Sequence, residues 1–526
     1  MARQRAMMRG YNLLKKNDDL GLINRLKDEL TNFSFQSITE GSSNLFFGSV
    51  NTIGDIIIKQ YLLSSIGSYN LNFELLRNLG TQNSYFSYPF PKEWLRVIEK
   101  YGFKINYTKS FFLWKTFLLK RIFFGGFRFL NEIRLSIIEI LYTRRQAQSS
   151  YIYFDTLVSG NIPKNNSNSR SYDIISWFLE WEGRNHVILE ICHSVKDVDK
   201  IFKKSNLLIR YLPRVIPPIN RPFQLLNFTL WGVKVTTLAL IELIRGNWWN
   251  CLIFPETIYA GLVKRQSIGS LAKEYYFHNS NWLYRPLWTY EAEQFGSKVI
   301  FYFYSTNAES FKLKDGYGIQ ANNWQLLTWN NFLVWDEYQK EFIEKYAKNI
   351  NEVLVVGPIW FSDNIDEDIP FVPNSVAVFD VQPQRDFLYQ KLGIESEYYI
   401  PSVANQFLLD ISKVLSEIEV KFIFKRKRNI GNKVHIEYKS VVDKLNKEGL
   451  LLEINPDISA YKIIEKCTAV ISMPFTSTAI IAKSLGKKSI YYDPTGMIQK
   501  DDRAAHGIPV VTGIEDLENW VKSIYL

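Results

Sequence analysis

Three hydroxyl side chains in a row, Thr476, Ser477 and Thr478, follow a short apolar run, Ala469-Val470-Ile471, and precede an apolar stretch from Ala479 to Leu485. The run reads as a buried parallel strand, and the stretch as a helix that Gly486 stops. Ser472 and Pro474 lie in the connecting loop, and Ser489-Ile490-Tyr491-Tyr492 reads as the next strand. Hydroxyls, free backbone N–H groups and the positive end of a helix dipole then converge at the carboxyl end of a strand, which suits a phosphate. Ser and Thr are also ordinary helix N-caps, so the segment taken alone admits a purely structural role.

Positive charge for such a phosphate is available nearby. Lys425, Arg426, Lys427 and Arg428 follow the strand that begins at Val420. Side chains alternate across a strand, so Lys425 and Lys427 can face a donor phosphate and offset charge on a departing one. Asp493, before Pro494, ends the strand after the motif helix, where it would meet a donor ribose or phosphate or serve a simple turn. Asp501, Arg503 and His506 follow in a polar loop able to close over a ligand.

From about Tyr151 onward the chain resembles a family of bacterial surface-polysaccharide biosynthesis proteins named for the motif Pro474-Phe475-Thr476-Ser477. It also resembles the donor-binding half of GT-B glycosyltransferases that use CMP-activated sugars, among them Kdo transferases and sialyltransferase-like enzymes. In those enzymes a hydroxyl-rich loop before a helix holds the donor phosphate. They often carry a His-Pro pair on the preceding donor-domain strand, and here Phe424-Lys425-Arg426-Lys427-Arg428 stands in the corresponding place. The resemblance implies a transferase of capsule or O-antigen assembly that moves a sugar from a nucleotide-activated donor, CMP-linked or other, to a glycan or lipid-linked glycan. CDP-polyol phosphotransferases and sugar-nucleotide 2-epimerases share the architecture, and a non-catalytic assembly protein is a further alternative.

Sugar transfer to a hydroxyl needs a base for the acceptor proton, or a carboxylate nucleophile. Glu256 is the first candidate, because Cys251-Leu252-Ile253-Phe254 reads as a strand and Glu256 follows its carboxyl end. Asp155, after Tyr151 to Phe154, has the same positional logic, and Glu291 is a third candidate. Strand-end carboxylates are also common helix caps. No Asp-x-Asp of the GT-A metal-binding kind is evident, so neither a metal nor a cofactor beyond the nucleotide-sugar is expected. A phosphotransferase would need a histidine in the cleft, for which His278 and His506 are placeable.

These groups need a scaffold, and 526 residues are enough for two or three domains. A 46% hydrophobic and 22% charged composition is that of a folded globular protein. The formal charge of +10 favours an anionic partner. No nucleic-acid-binding module is evident. Three scattered cysteines without a CxxC fit a reducing compartment, and the basic N-terminus lacks the apolar core of a signal peptide, so a cytoplasmic location is expected.

Strands alternate with helices in two series separated by an Asp-, Asn- and Pro-bearing stretch, residues 359–375. The expected fold is α/β and GT-B-like: two doubly wound parallel-sheet domains facing a cleft, with extra N-terminal helices. The expected divisions are a helical region over 1–145, an acceptor-side domain over 146–362 and a donor-binding domain over 375–526. In the helical region, Lys109 to Leu130 mixes Lys120, Arg121 and Arg128 with Phe and Leu, and Gly125-Gly126 weakens the helix. It reads equally as an interfacial helix on the inner membrane face, giving peripheral attachment, and as a core helix with snorkelling stems. Phe223 to Ile244 is long enough to span a bilayer, but a central Lys234 costs roughly 3 kcal/mol there, so it reads as a buried helix.

Overall fold

The computed structural model describes the chain except for residues 1, 18, 20, 37–43, 66–67, 82–83, 143–149, 164–170, 183–188, 197–200, 205–206, 268, 279–283, 307–311, 314–315, 318–321, 362–368, 370–373, 385–397 and 427–429. The first sheet contains β1 (Tyr151–Phe154), β2 (Leu189–His193), β3 (Ile201–Lys204), β4 (Leu207–Tyr211), β5 (Glu274–His278) and β6 (Lys298–Tyr302). A small hairpin, β7 (Lys312–Leu313) and β8 (Gly316–Tyr317), lies apart, and β9 (Asn331–Val334) and β10 (Glu352–Val355) complete the sheet. Its order is β10-β9-β6-β5-β1-β2-β4-β3, parallel throughout apart from the antiparallel β3–β4 edge. The second sheet is wholly parallel, in the order β13-β12-β11-β14-β15-β16. Its strands are β11 (Ser375–Phe379), β12 (Lys421–Lys425), β13 (Leu451–Ile454), β14 (Ala469–Ser472), β15 (Lys488–Asp493) and β16 (Val510–Thr512).

Both sheets are doubly wound, and each reverses direction once. In the first, β1 is flanked by β2 and β5; in the second, β11 is flanked by β12 and β14. At such reversals the connections leave to opposite sides and open a crevice beyond the strands' carboxyl ends. In the second sheet Phe379 is level with both Lys425 and Ser472, so three chains leave the sheet side by side at its reversal. Continuous apolar runs such as Val376-Ala377-Val378 are fully buried, as strands covered on both faces require.

One face of the first sheet, through Tyr151, Tyr153 and Tyr275, shares a core with the N-terminal helices. The other face, through Ile152, Phe154 and Tyr276, belongs to a core continuous with the second domain. Strands β3, β4 and β5 were not expected from sequence, and one expected strand is absent. Cys251 to Phe254 lies inside the helix Trp248–Val263. A short apolar run bounded by Pro satisfies a buried helix as well as a strand, and here Trp248 to Val263 is buried almost throughout. The helix carries Pro255 in its interior, and the Pro255 carbonyl accepts from the Arg128 guanidinium at 3.1 Å.

Gly125-Gly126 does not interrupt the helix Tyr107–Tyr142, which is continuous over 36 residues. A Cβ on Gly125 would stand 2.4 Å from the Phe254 ring, so glycine is what lets the two helices approach. Most of the expected interdomain stretch lies outside the described residues.

Candidate functional site

The carboxyl ends of the two sheets face each other across a cavity of about 450 Å³. Tyr304, Trp335, Ile359 and Phe361 line it from the first sheet; Asp380, Lys425, Phe475 and Thr476 to Thr478 line it from the second. The helix Ser477–Ser484 opens on this cavity, and among the described residues no side chain caps its first turn. Thr476 holds the N-cap position, but its hydroxyl donates to the Met473 carbonyl at 2.9 Å. Thr478 Oγ1 lies 2.8 Å from Ser472 Oγ and 3.2 Å from Thr476 Oγ1. The hydroxyls thus form a chain that shapes the loop and leaves the helix N–H groups to the cavity. Phe475 is held at φ +62°, a left-handed conformation costly for an aromatic residue and sustained only where the surroundings enforce it. Pro474 contributes its carbonyl, which accepts from Tyr399 Oη at 2.9 Å.

Lys425 is buried at the end of β12, and among the described residues its ammonium has one hydrogen bond, a 3.4 Å contact to the Arg426 carbonyl. Burial lowers its pKa to about 8, against the opposing pull of Asp457 and Asp380. Arg426, on the opposite face of the strand, pairs with Glu453. Lys427 lies outside the described residues. Asp380, at the end of β11, is a site residue that the sequence reading passed over. One carboxylate oxygen accepts from Tyr438 Oη; the other, Oδ1, is buried without a partner among the described residues. Burial pushes its pKa up to about 7, although Tyr438 and Arg426 oppose the shift. The signal for Asp380 was the one used for Asp155: a carboxylate one residue past a buried strand.

At the first sheet's reversal, Asp155 and His278 sit at the ends of the adjacent strands β1 and β5. Thr156 Oγ1 donates to Asp155 at 2.6 Å, and His278 Nε2 is 3.2 Å from the Thr156 carbonyl. Burial raises Asp155 and lowers His278, each shift partly offset by the other's charge. Tyr304 and Phe361, stacked at 4.0 Å, stand between this pair and the cavity, their rings 5.7 and 6.1 Å from the imidazole.

The other expected site residues are placed elsewhere. Glu256 ion-pairs with Arg128 at 2.7 Å on a helix packed under Tyr107–Tyr142, because the segment is helical and its strand end does not exist. Glu291 is buried on the helix Leu287–Gln294, where it accepts from Ser49 N–H at 3.0 Å and faces Lys264 at 3.3 Å, tying the N-terminal helices to the first domain. Asp493 organises a turn: it accepts from Tyr398, from Thr495 at 2.7 and 2.9 Å, and from the Ile498 N–H at 2.8 Å. Arg503 crosses to Glu341 at 2.5 Å, and His506 Nδ1 lies 2.7 Å from Asp336, so their loop fastens one domain to the other outside the cavity lining.

Two doubly wound parallel sheets, each with a reversal turned toward a shared crevice, define a GT-B-like protein. The chain belongs to the polysaccharide biosynthesis PFTS motif protein family, whose model matches residues 232–521. No curated protein matches it. Among solved structures it is similar to the UDP-GlcNAc 2-epimerase of Methanocaldococcus jannaschii, with 10% identity, 72% of this chain and 92% of that one covered, and a TM-score of 0.35. It is similar also to the wall teichoic acid polymerase TagF (10% identity, 77% and 88% covered, TM-score 0.37). A third is the UDP-forming alpha,alpha-trehalose-phosphate synthase of Burkholderia vietnamiensis (8% identity, 72% and 89% covered, TM-score 0.32).

Proposed function

We propose that this protein is a glycosyltransferase of capsule or O-antigen-type polysaccharide assembly that takes a sugar from a nucleotide-activated donor. The observation that carries the reading is the buried Lys425 ammonium, with one long hydrogen bond among the described residues, facing a cavity onto which a helix N-terminus uncapped by any described side chain also opens. A buried cation with one long hydrogen bond is costly unless an anion arrives, and a diphosphate or phosphodiester supplies it. Asp380, largely protonated below about pH 7, donates to a ribose or sugar hydroxyl through its free oxygen. On the opposite wall Tyr304 and Phe361 offer a flat apolar surface for a sugar ring.

A thermal-shift panel of CMP, CDP, UDP and GDP tests the donor assignment, since ligand at 100 times its dissociation constant adds about 2.7 kcal/mol. Stabilisation by one nucleotide and its loss in Lys425→Met is the expected result. No stabilisation by any of the four would remove the nucleotide site. Transfer of a phosphoryl-polyol unit from a CDP-polyol is the second reading, favoured by the neighbouring His278 and Asp155. It predicts a product that keeps the donor's phosphate, whereas sugar transfer leaves the phosphate on the nucleotide.

A further inference from the structure

The helices Tyr107–Tyr142 and Pro222–Arg245 lie side by side and antiparallel. Lys115 Nζ donates to the Leu243 carbonyl at 3.0 Å toward one end, the Phe129 and Phe228 rings meet at 5.6 Å, and Ser136 Oγ accepts from the Ile219 N–H at 3.1 Å toward the other. Both rest on the buried helix Trp248–Val263, through Gly125 against Phe254 and Trp231 against Gly261. On the longer helix, Trp114, Leu118, Ile122, Gly125 and Phe129 form the inward stripe. The outward stripe is just as apolar: Phe112, Phe123, Phe127, Leu130 and Leu141 are 64–70% exposed. The neighbouring helix adds Phe223, Leu226, Leu230, Val233 and Ile244, each more than half exposed. Pro222–Arg245 is therefore not the buried helix expected from its sequence; only 28% of its most apolar 18-residue stretch is buried.

Charge decides what covers this face. Every exposed charged side chain on the two helices is a cation: Lys109, Lys120, Arg134, Lys234 and Arg245. Glu132 and Glu242 are buried and paired with Arg214 and Arg245, and Glu139 is half-buried. Arg121 and Arg128 turn inward, over Tyr61 and Tyr259, so of the basic trio singled out in the sequence only Lys120 belongs to the face. Cations set among exposed Phe and Leu suit a headgroup layer, where rings enter the acyl boundary and ammonium groups meet lipid phosphates. A protein partner would have to bury Lys120 and Lys234 amid apolar surface. Phe111 and Phe112 also line a cavity of about 580 Å³ with Phe90, Trp114 and Trp248, an apolar recess at the end of the same hairpin.

We propose that this two-helix face docks the protein on a bilayer containing anionic lipid, with both helices lying in the membrane plane. Pro222–Arg245 is long and apolar enough to cross a bilayer, but its inward side is committed to protein packing and Lys234 stands on its outward side. The proposal is independent of what the cleft binds. Its test is flotation of the purified full chain with vesicles of phosphatidylethanolamine and phosphatidylglycerol, and with vesicles of phosphatidylcholine alone. The chain should float with the anionic vesicles. The triple change Phe123→Ser, Phe127→Ser and Leu230→Ser, at exposed positions, should lower the bound fraction about tenfold at unchanged melting temperature. Lys120→Glu with Lys234→Glu should remove the preference for anionic lipid. No flotation of the folded chain overturns the proposal, as does a triple variant that floats like the parent. A dimer in solution that the triple change dissolves, with no flotation, assigns the face to a second copy.

Discussion

The two carboxyl edges that meet across the cleft share a geometry and differ in chemistry. The second sheet ends in groups that want an anion or a hydroxyl: Lys425, Asp380 and the helix start at Ser477. The first sheet ends in rings, Tyr304, Trp335 and Phe361, and keeps its titratable pair, Asp155 and His278, behind them. Chain reversal alone creates a crevice in both sheets, so topology does not distinguish them. Burial of charge does. A site that must hold a phosphate keeps an ammonium dry and under-partnered, whereas one that must hold a ring presents flat apolar surface.

The largest effect on this contrast should come from Lys425→Met. Removing a charged hydrogen-bonding group costs about 1.5–3 kcal/mol, so nucleotide affinity should fall roughly 10- to 150-fold. Calorimetric titration measures it, and the change should not lower folding stability, because a cation held dry with one long hydrogen bond contributes little to the apo fold. Unchanged affinity would erase the distinction between the edges.

Glu256→Gln should act in the opposite way. It leaves Arg128 half-buried without its carboxylate, costing about 1–3 kcal/mol of stability, with nucleotide affinity and turnover per folded molecule retained. Thermal denaturation beside an activity assay reads both. Lost turnover at an unchanged melting temperature would return Glu256 to catalysis and break the assignment of chemistry to the cleft.

How legible these regions were in the sequence follows the same division. The second domain was readable almost strand by strand, because β11, β12 and β14 are buried on both faces and appear as unbroken apolar runs closed by polar loops. Within it, Lys425 and the Thr476 to Thr478 loop could be read, since residue type and position after a strand point the same way. Asp380 had that signal too, but the hydroxyl that holds one of its oxygens belongs to Tyr438, 58 residues away. The first domain misled where apolar runs serve helices. Cys251 to Phe254 has a strand's composition, yet it lies in a buried helix beneath two long ones, and the positional argument for Glu256 fell with the strand. Arg503 was read as a ligand group and Asp493 as a ligand group or a turn, because polar loops after strands suit both; Arg503 meets Glu341 and Asp493 meets Thr495.

The pH dependence of binding sharpens the contrast further. Lys425 has its pKa lowered to about 8, so its charged form, which binds phosphate, is lost as pH rises through that value. Asp380, raised to about 7, gains negative charge in the same direction. Nucleotide affinity should therefore fall from pH 7 to pH 9, by roughly tenfold for Lys425 alone. Lys425→Met should flatten the upper part of the profile and Asp380→Asn the lower part. Affinity that rises with pH would contradict both assignments. Asp380→Asn should also gain stability relative to the parent as pH rises from the ordinary value of 3.8 to about 7 and keep that gain above it, because a carboxylic acid whose folded pKa is raised loses its stabilising contribution over that range.

The smallest effect falls on the motif itself, where two hydroxyls of the same loop should behave differently. Thr476 Oγ1 donates to the Met473 carbonyl, and its backbone carbonyl accepts from Tyr491 Oη at 2.8 Å, so Thr476→Ala should act chiefly through folding. Ser477 is the first helical residue, half-buried at the cavity, and its side chain can turn toward a phosphate without breaking the loop. Ser477→Ala removes one hydrogen bond of about 0.5–1.5 kcal/mol, a two- to tenfold loss of nucleotide affinity, and should leave the melting temperature of the free protein where it was. Backbone N–H groups of the same turn remain, which is why the loss is smaller than for Lys425→Met. Titrating both single variants with the nucleotide that stabilises the parent separates the roles. If Ser477→Ala instead lowers the melting temperature and spares affinity, the hydroxyl serves the helix start, and phosphate recognition rests on Lys425 and the backbone.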